Sequence, residues 1–326
     1  MKTFKTAALL AASILLSIST FITGCRDNRV APDGKRIVKV AYLPIIHALP
    51  VFETKELFDA SDDGVVVELV RYGSWPELMD ALNTGRVDAA STLVELAMLA
   101  RQHGIEVSAV ALGHKDGNVL IVSDKIAEPA DMRGKTFAIP HRQSSHHILL
   151  NDALKRAGLT PEDVNTIELT PPETPAALAS GQIDGYCVAE PFGVKAVMLG
   201  VGRPLFTSEE LWHDSLCCAL VVNDRFVQRR PDVADLFLRR YYEAGKLLTP
   251  QRAKELGVKY LKQDEKVLEQ SLPWISFDDL EITPEIYDAL VDRVREYGLS
   301  KNPPSYDVFV GCSGLHSETE ESKDGE

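Results

Sequence analysis

Small hydroxyl residues recur where an extended run would hand over to a helical one. Ser74 precedes Trp75-Pro76, Ser91-Thr92 precede Leu93, Ser144-Ser145 follow Ile139-Pro140, and Thr174 follows Thr170-Pro171-Pro172. Helix starts carry unpaired N–H groups and a partial positive charge. With Ser and Thr donors added, such junctions suit an oxyanion: a sulfonate, a nitrate or a carboxylate. The same residue types cap helices, and one residue can serve both purposes. Nearby acids and aromatics point to another kind of guest. Glu95 and Glu190 would repel a free anion but accept hydrogen bonds from an amine or amino-pyrimidine, and Tyr42, Trp75, Tyr186 and Phe192 offer rings to stack on a flat one. The residues alone leave both ligand classes open.

Catalytic and metal chemistry find less support. Cys187, Cys217-Cys218 and Cys312 lack CxxC spacing. Adjacent cysteines rarely bridge each other, so these read as small buried residues of strands. His146 and His147 are neighbours, which on a helix sets them about 100° apart, unlike an i, i+4 chelating pair. His213 lies close to Cys217 in sequence, but no glycine-framed nucleophile elbow surrounds the cysteine. Neither GxGxxG nor GxxxxGK[ST] occurs. The expectation is a binding protein with no catalytic residue, no metal and no cofactor.

The elements that would position these residues alternate. Strands are predicted over residues 37–43, 65–72 and 87–91, with helices over 47–58, 75–83 and 93–102 between and after them. Strands over 107–112 and 119–122 lead to a boundary near Ser123. A second series follows: strands 136–139, 166–169 and 183–188, and helices 145–157 and 174–180. A strand over 216–222 precedes a mostly helical stretch, with helices at 226–248, 251–261, 266–272 and 284–297 and a break at Pro231. This order implies parallel sheets with helices on their faces, an α/β protein whose carboxyl strand edges form the ligand crevice. An ungapped internal repeat supports two lobes of one design. Pro76-Glu77, Ala81-Leu82, Thr84-Gly85, Val87-Asp88 recur as Pro172-Glu173, Ala177-Leu178, Ser180-Gly181, Ile183-Asp184.

The composition is that of a globular chain, 45% hydrophobic and 25% charged, and its net charge of −13 argues against a nucleic-acid partner. At the start, Lys2 and Lys5 precede an apolar run that ends in Ile22-Thr23-Gly24-Cys25. This resembles a bacterial lipoprotein signal. It implies a signal peptide over 1–24, lipid on Cys25, a tether over 25–36, and an extracytoplasmic protein anchored to the cell membrane. Residues 312–326 read as a disordered acidic tail.

Five stretches carry a further likeness: Tyr42 to Pro50 (YLPIIHALP), Leu82 to Ala89 (LNTGRVDA), Ile139 to His147 (IPHRQSSHH), Ala189 to Phe192 (AEPF) and Cys217 to Val222 (CCALVV). In this order they resemble the solute-binding proteins of ABC importers, in the nitrate/sulfonate/taurine group. The resemblance implies a type II periplasmic-binding-protein fold, two α/β lobes joined by two hinge crossings near Ser123 and Ser215. Lobe 1 would be 37–122 plus 216–311, and lobe 2 would be 123–215. It implies a monomer that closes on a small-molecule ligand and delivers it to a membrane permease. Its pocket would fall on Tyr42, His47, Ser74, Trp75, Ser91, Thr92, Ser144, Ser145, Glu190 and Phe192. The expected solute is a small organic anion of sulfonate, taurine or nitrate type; the alternative is a nitrogen heterocycle such as a thiamine pyrimidine precursor. Group members for sulfonates or nitrate tend to supply a pocket cation, for which Arg142 is the nearest candidate here. An enzyme on the same fold, or a sensor ectodomain, are the other classes to weigh.

Overall fold

The computed structural model describes residues 29–311; the leader, Cys25, Cys312 and the acidic tail lie outside them. Lobe 1 begins with β1 (Arg36–Tyr42), a 3-10 turn (Ile46–Ala48), α1 (Leu49–Ala60), β2 (Val65–Arg71), α2 (Trp75–Asn83), β3 (Ala89–Leu93), α3 (Val94–Gln102) and β4 (Val107–Leu112). A two-residue strand, β5 (Lys115–Asp116), then leads to β6 (Asn118–Val122). Lobe 2 continues with β7 (Thr136–Ile139), α4 (Ser145–Arg156), β8 (Asn165–Glu168), α5 (Thr174–Ala179), β9 (Gly185–Ala189), α6 (Phe192–Met198), β10 (Arg203–Thr207) and α7 (Ser208–Leu211). The chain returns through β11 (Cys218–Asn223), α8 (Asp224–Arg229), α9 (Pro231–Leu247), α10 (Pro250–Leu261), α11 (Glu265–Ser271), β12 (Ile275–Ser276), α12 (Pro284–Glu296) and α13 (Tyr306–Phe309). The break expected at Pro231 separates α8 from α9. A proline there lacks the N–H that would continue the helix.

Two five-stranded sheets result, ordered β2-β1-β3-β11-β4 and β10-β6-β9-β7-β8. Their plans match. In each, a first strand (β1 or β7) pairs in parallel with two neighbours, and an antiparallel strand from elsewhere in the chain is added beside them. The added strand is β11 in lobe 1 and β6 in lobe 2. β6 is thus a strand of lobe 2, so the first crossing lies at residues 113–117 and not near Ser123. The chain passes back from one sheet to the other between β10 and β11. The crossings run side by side: Asp116 N–H donates to the Ser215 carbonyl at 3.2 Å, and Ser215 Oγ donates to Asp116 Oδ1 at 3.2 Å. Gly117, with φ of +79°, lets the chain turn; a Cβ there would lie 2.8 Å from Ile275 Cδ1.

The repeat is built the same way twice. Gly85 and Gly181 both take φ of +72° after α2 and α5. Lys39 N–H donates to Asp88 Oδ2 at 2.8 Å, and Thr136 N–H donates to Asp184 Oδ2 at 3.0 Å. Each Asp pins the next strand to its lobe's first strand, at Lys39 midway along β1 and at Thr136, the first residue of β7. For that reason β3 begins at Ala89 and not at Val87, because residues 86–88 are used in the turn. The copies differ at one end: residues 171–173 form a 3-10 turn capped by Thr170 and Glu173, where α2 begins directly at Trp75.

Candidate functional site between the lobes

The strand ends of both sheets meet between the lobes. At the mouth is a groove of about 380 Å³, with Leu43, Ser74 and Trp75 on the lobe 1 side and Pro140, His141 and Thr170 on the lobe 2 side. A larger cavity of about 1020 Å³, lined by Arg101, Ser108, Asp224 and Tyr306, belongs to lobe 1 alone and does not adjoin lobe 2.

The base of the cleft is fully enclosed. His47 sits on the turn after β1, His114 follows β4, and Cys217 and Cys218 open β11; all four are 0% exposed. Their ligand-capable atoms lie within 4.8 Å of one another. His47 Nε2 is 3.1 Å from the Gly117 carbonyl, so that nitrogen carries the proton, and Nδ1 faces Cys218 Sγ at 3.6 Å. The two sulfurs are 3.9 Å apart. The His47 and His114 rings stack with centroids 3.5 Å apart, and Cys218 N–H donates to His114 Nε2 at 3.3 Å. Gly113 permits this closeness, since a Cβ there would stand 3.0 Å from the Cys218 carbonyl oxygen and 3.3 Å from that of His47.

Around this base lie buried polar atoms with no hydrogen-bond partner among the described residues: both Glu95 oxygens, His114 Nδ1, Asn118 Nδ2, Ser145 Oγ, both His146 nitrogens and, towards the mouth, Trp75 Nε1. Buried polar groups are nearly always paired, so such a cluster of exceptions at one cleft leaves donors and acceptors there for water, an ion or a ligand to satisfy. Their protonation follows from burial. Desolvation pushes His114 down to about 4, helped by neighbouring His47, and pushes His146 down to about 4. Burial, and then Cys217, raise the Glu95 carboxyl well above its ordinary value, which favours its protonated, donating form. Burial opposes a Cys217 thiolate, but the Cys218 thiol at 3.9 Å and the His146, His114 and His47 imidazoles gathered around it prevail and hold that thiol below its ordinary value. Cys218 is pushed up by burial and by Cys217.

The sequence-predicted residues fall into three groups. His47, Ser145, Ser74 and Trp75 reach the cleft. Ser91 and Thr92 are buried near it but lie inside β3, not at a helix start; the N-cap of α3 is Leu93, and Thr92 Oγ1 faces Met79 Sδ at 3.3 Å. Ser144 caps α4, accepting from His147 N–H at 3.3 Å and donating to the His141 carbonyl at 2.5 Å. Thr174 Oγ1 donates to the Pro171 carbonyl at 2.9 Å. The remaining three are taken up by packing and hinge contacts. Tyr42 packs edge-on to Phe52, in an apolar cluster with Leu256 of α10. The Phe192 carbonyl accepts from Tyr186 Oη at 2.8 Å. The Glu190 carboxylate accepts from Ser271 Oγ at 2.6 Å and from Val194 N–H at 3.2 Å, joining lobe 2 to α11. Arg142 is a surface residue, its guanidinium donating to the Thr166 carbonyl at 2.7 Å.

Of the four residues at the base, only His47 is among the sequence-predicted site residues. Cys217-Cys218 read as core, and His114 was not singled out. They meet because β4 and β11, distant in sequence, are neighbours in one sheet. The split of the histidine pair holds: His146 turns inward, while His147 Nδ1 lies 2.9 Å from the Arg142 carbonyl. His213 is exposed and pairs with Glu209 and Asp214; the histidines beside Cys217 are His47, His114 and His146.

Comparison with known proteins agrees with this architecture. A solved ligand-binding component of an ABC-type import system from Staphylococcus aureus, with zinc bound, is 38% identical, with a TM-score of 0.82 over 86% of this chain and 98% of that one. The taurine-binding periplasmic protein of Escherichia coli is 29% identical over 64% of this chain. The bicarbonate transport ATP-binding protein CmpC of Synechocystis is 25% identical over a similar 64%. The chain spans 65% of the taurine-binding protein's length and 34% of CmpC's. The NMT1-like family model matches residues 31–262, well over half the sequence, and the chain belongs to the NMT1-like family.

Proposed function

We propose that this protein is the solute-capturing component of an ABC importer. On this reading it works outside the cytoplasm as a monomer tethered by lipid on Cys25. It closes its two lobes on a small solute and hands it to a membrane permease. The observation that carries the reading is the set of unpartnered buried donors where the lobes meet: Trp75 Nε1, Asn118 Nδ2 and Ser145 Oγ, the last at the first turn of α4. With burial favouring the neutral form of Glu95, such donors suit an oxyanion without a buried lysine or arginine. The taurine-binding relative supports an anionic solute such as a sulfonate. On this reading the protein binds its solute without turning it over. Thermal-shift screening against taurine, alkanesulfonates, nitrate, bicarbonate and pyrimidine precursors tests the reading. A ligand at 100-fold its Kd adds about 2.7 kcal/mol. Shifts by heterocycles alone would refute the anion, and shifts by nothing in the panel would refute both solute classes. The zinc carried by the Staphylococcus aureus relative favours a second reading, in which the cleft accepts a metal cation.

A further inference from the structure

We infer that the base of the cleft is a binding site for one thiophilic transition-metal ion of the zinc class, held by His47, His114, Cys217 and Cys218. The inference rests on the reading that the interlobe cleft is where solute binds, and it names a chemistry for the enclosed end of that cleft.

The spacing carries the argument. In a tetrahedral zinc site, with Zn–S of about 2.3 Å and Zn–N of about 2.0–2.1 Å, the edges come to about 3.8 Å between sulfurs and about 3.5 Å between sulfur and nitrogen. Here the sulfurs are 3.9 Å apart and Cys218 Sγ is 3.6 Å from His47 Nδ1. The widest separation in the set, within 4.8 Å, asks for a contraction of about 1 Å on loading. Two sulfurs and two imidazoles in this arrangement select zinc over harder ions.

The surroundings agree. A metal-binding histidine commonly donates its other ring N–H to a backbone carbonyl, which fixes its tautomer. His47 does this through Nε2 and Gly117, leaving the Nδ1 lone pair aimed at the cysteines. The ligands belong to the ends of three strands of one sheet, so they are placed before an ion arrives. A dication with two thiolates is neutral overall, which lets a fully buried site hold it without an uncompensated charge. The cover comes from the other lobe: His146 and Asn118 lie over Cys217, whose Sγ is 3.9 Å from Asn118 Oδ1. An ion could enter only when the lobes part.

Cobalt(II) titration of the chelator-stripped, reduced full chain tests this. The expected result is one equivalent bound, with thiolate-to-cobalt charge transfer in the near ultraviolet and the intense visible bands of a tetrahedral ion, all displaced by zinc. The Cys217→Ser/Cys218→Ser double variant should lose the charge-transfer band. His114→Gln should weaken binding by at least about 100-fold, and Cys187→Ser should change nothing. Circular dichroism of each variant separates loss of the site from loss of the fold. Should a double variant fail to fold, the His114→Gln titration decides alone. Absence of binding, or a band that survives both cysteine changes, overturns the inference. If taurine or nitrate still shifts the melting point of a protein that binds no cobalt, the metal site is refuted and the capture of solute stands. If cobalt binds as described while no anion shifts the melting point, the metal site stands and the anionic solute falls.

Discussion

Ser144 and Ser145 are adjacent and alike in type, yet the structure gives them opposite tasks. Ser144 is bonded at both ends of its hydroxyl as the cap of α4, whereas the Ser145 hydroxyl is buried without a partner. Ser144→Ala should cost about 1 kcal/mol of stability in denaturant titrations. Ser145→Ala should leave the unliganded protein as stable or slightly more so, because an unsatisfied group is removed, while weakening solute binding by roughly 1 kcal/mol, or five- to tenfold. Equal loss of stability in both variants would contradict the assignment. Glu190 gives a pH test. Burial lifts its carboxyl from 4.5 to about 7, against the hydrogen bonds from Ser271 and Val194. Between those values the folded chain keeps a proton that the unfolded chain has released. The stabilising contribution is therefore whole below about pH 4.5 and is lost as pH rises through 7. Glu190→Gln should remove that loss, so the stability difference between variant and wild type should change by up to roughly 1.4 kcal/mol per pH unit across the window. A constant difference would show that the carboxyl does not titrate there. Hydroxyls were legible in the sequence as candidates, but cap and ligand contact differ only in what the oxygen faces, which residue type does not encode.

Elements were more legible than individual contacts. The glycine and aspartate of the repeat declared two equivalent units, and both copies use them alike. The placement of β3 was read two residues early, because Asp88 looks like strand sequence and is spent on Lys39. α6 rests on a position where only glycine fits. A Cβ on Gly193 would overlap Val119 Cγ1 of β6 and Glu190 Oε1. Gly193→Ala should destabilise by about 1–3 kcal/mol, seen as a lower denaturant midpoint with an unchanged slope. A neutral result would mean that α6 does not pack on β6 as described.

At the scale of the whole molecule, the alternation of strands and helices announced two lobes, but not where they join. β6 follows lobe 1 in sequence and reads like its last strand; only pairing with β9 and β10 assigns it to lobe 2. The base of the site was hidden for the same reason, since His114 and Cys217 are brought together by a strand that returns after the whole of lobe 2. The lobes are also joined at the outside. Asp152 of α4 accepts from Tyr297 Oη and, at 3.5 Å, from Arg293 Nε, both at or near the end of α12; Gln143 Nε2 donates to the Leu299 carbonyl at 3.0 Å. α12 is tied to lobe 1 through α13, where Tyr287 packs edge-on against Tyr306. Half-exposed contacts of this sort are worth roughly 1 kcal/mol or less each. Asp152→Asn should thus weaken solute binding by no more than about fivefold in calorimetry, by favouring the open state, with the contacts at the cleft unchanged.

Capture of a small guest in an enclosed cleft is most directly checked by native mass spectrometry of the full chain purified from its own host. A single small species should be retained at one per chain, released when the protein is unfolded, and diminished in Ser145→Ala or Trp75→Ala. A chain of bare mass that also fails to bind any solute or metal ion offered to it would contradict the account.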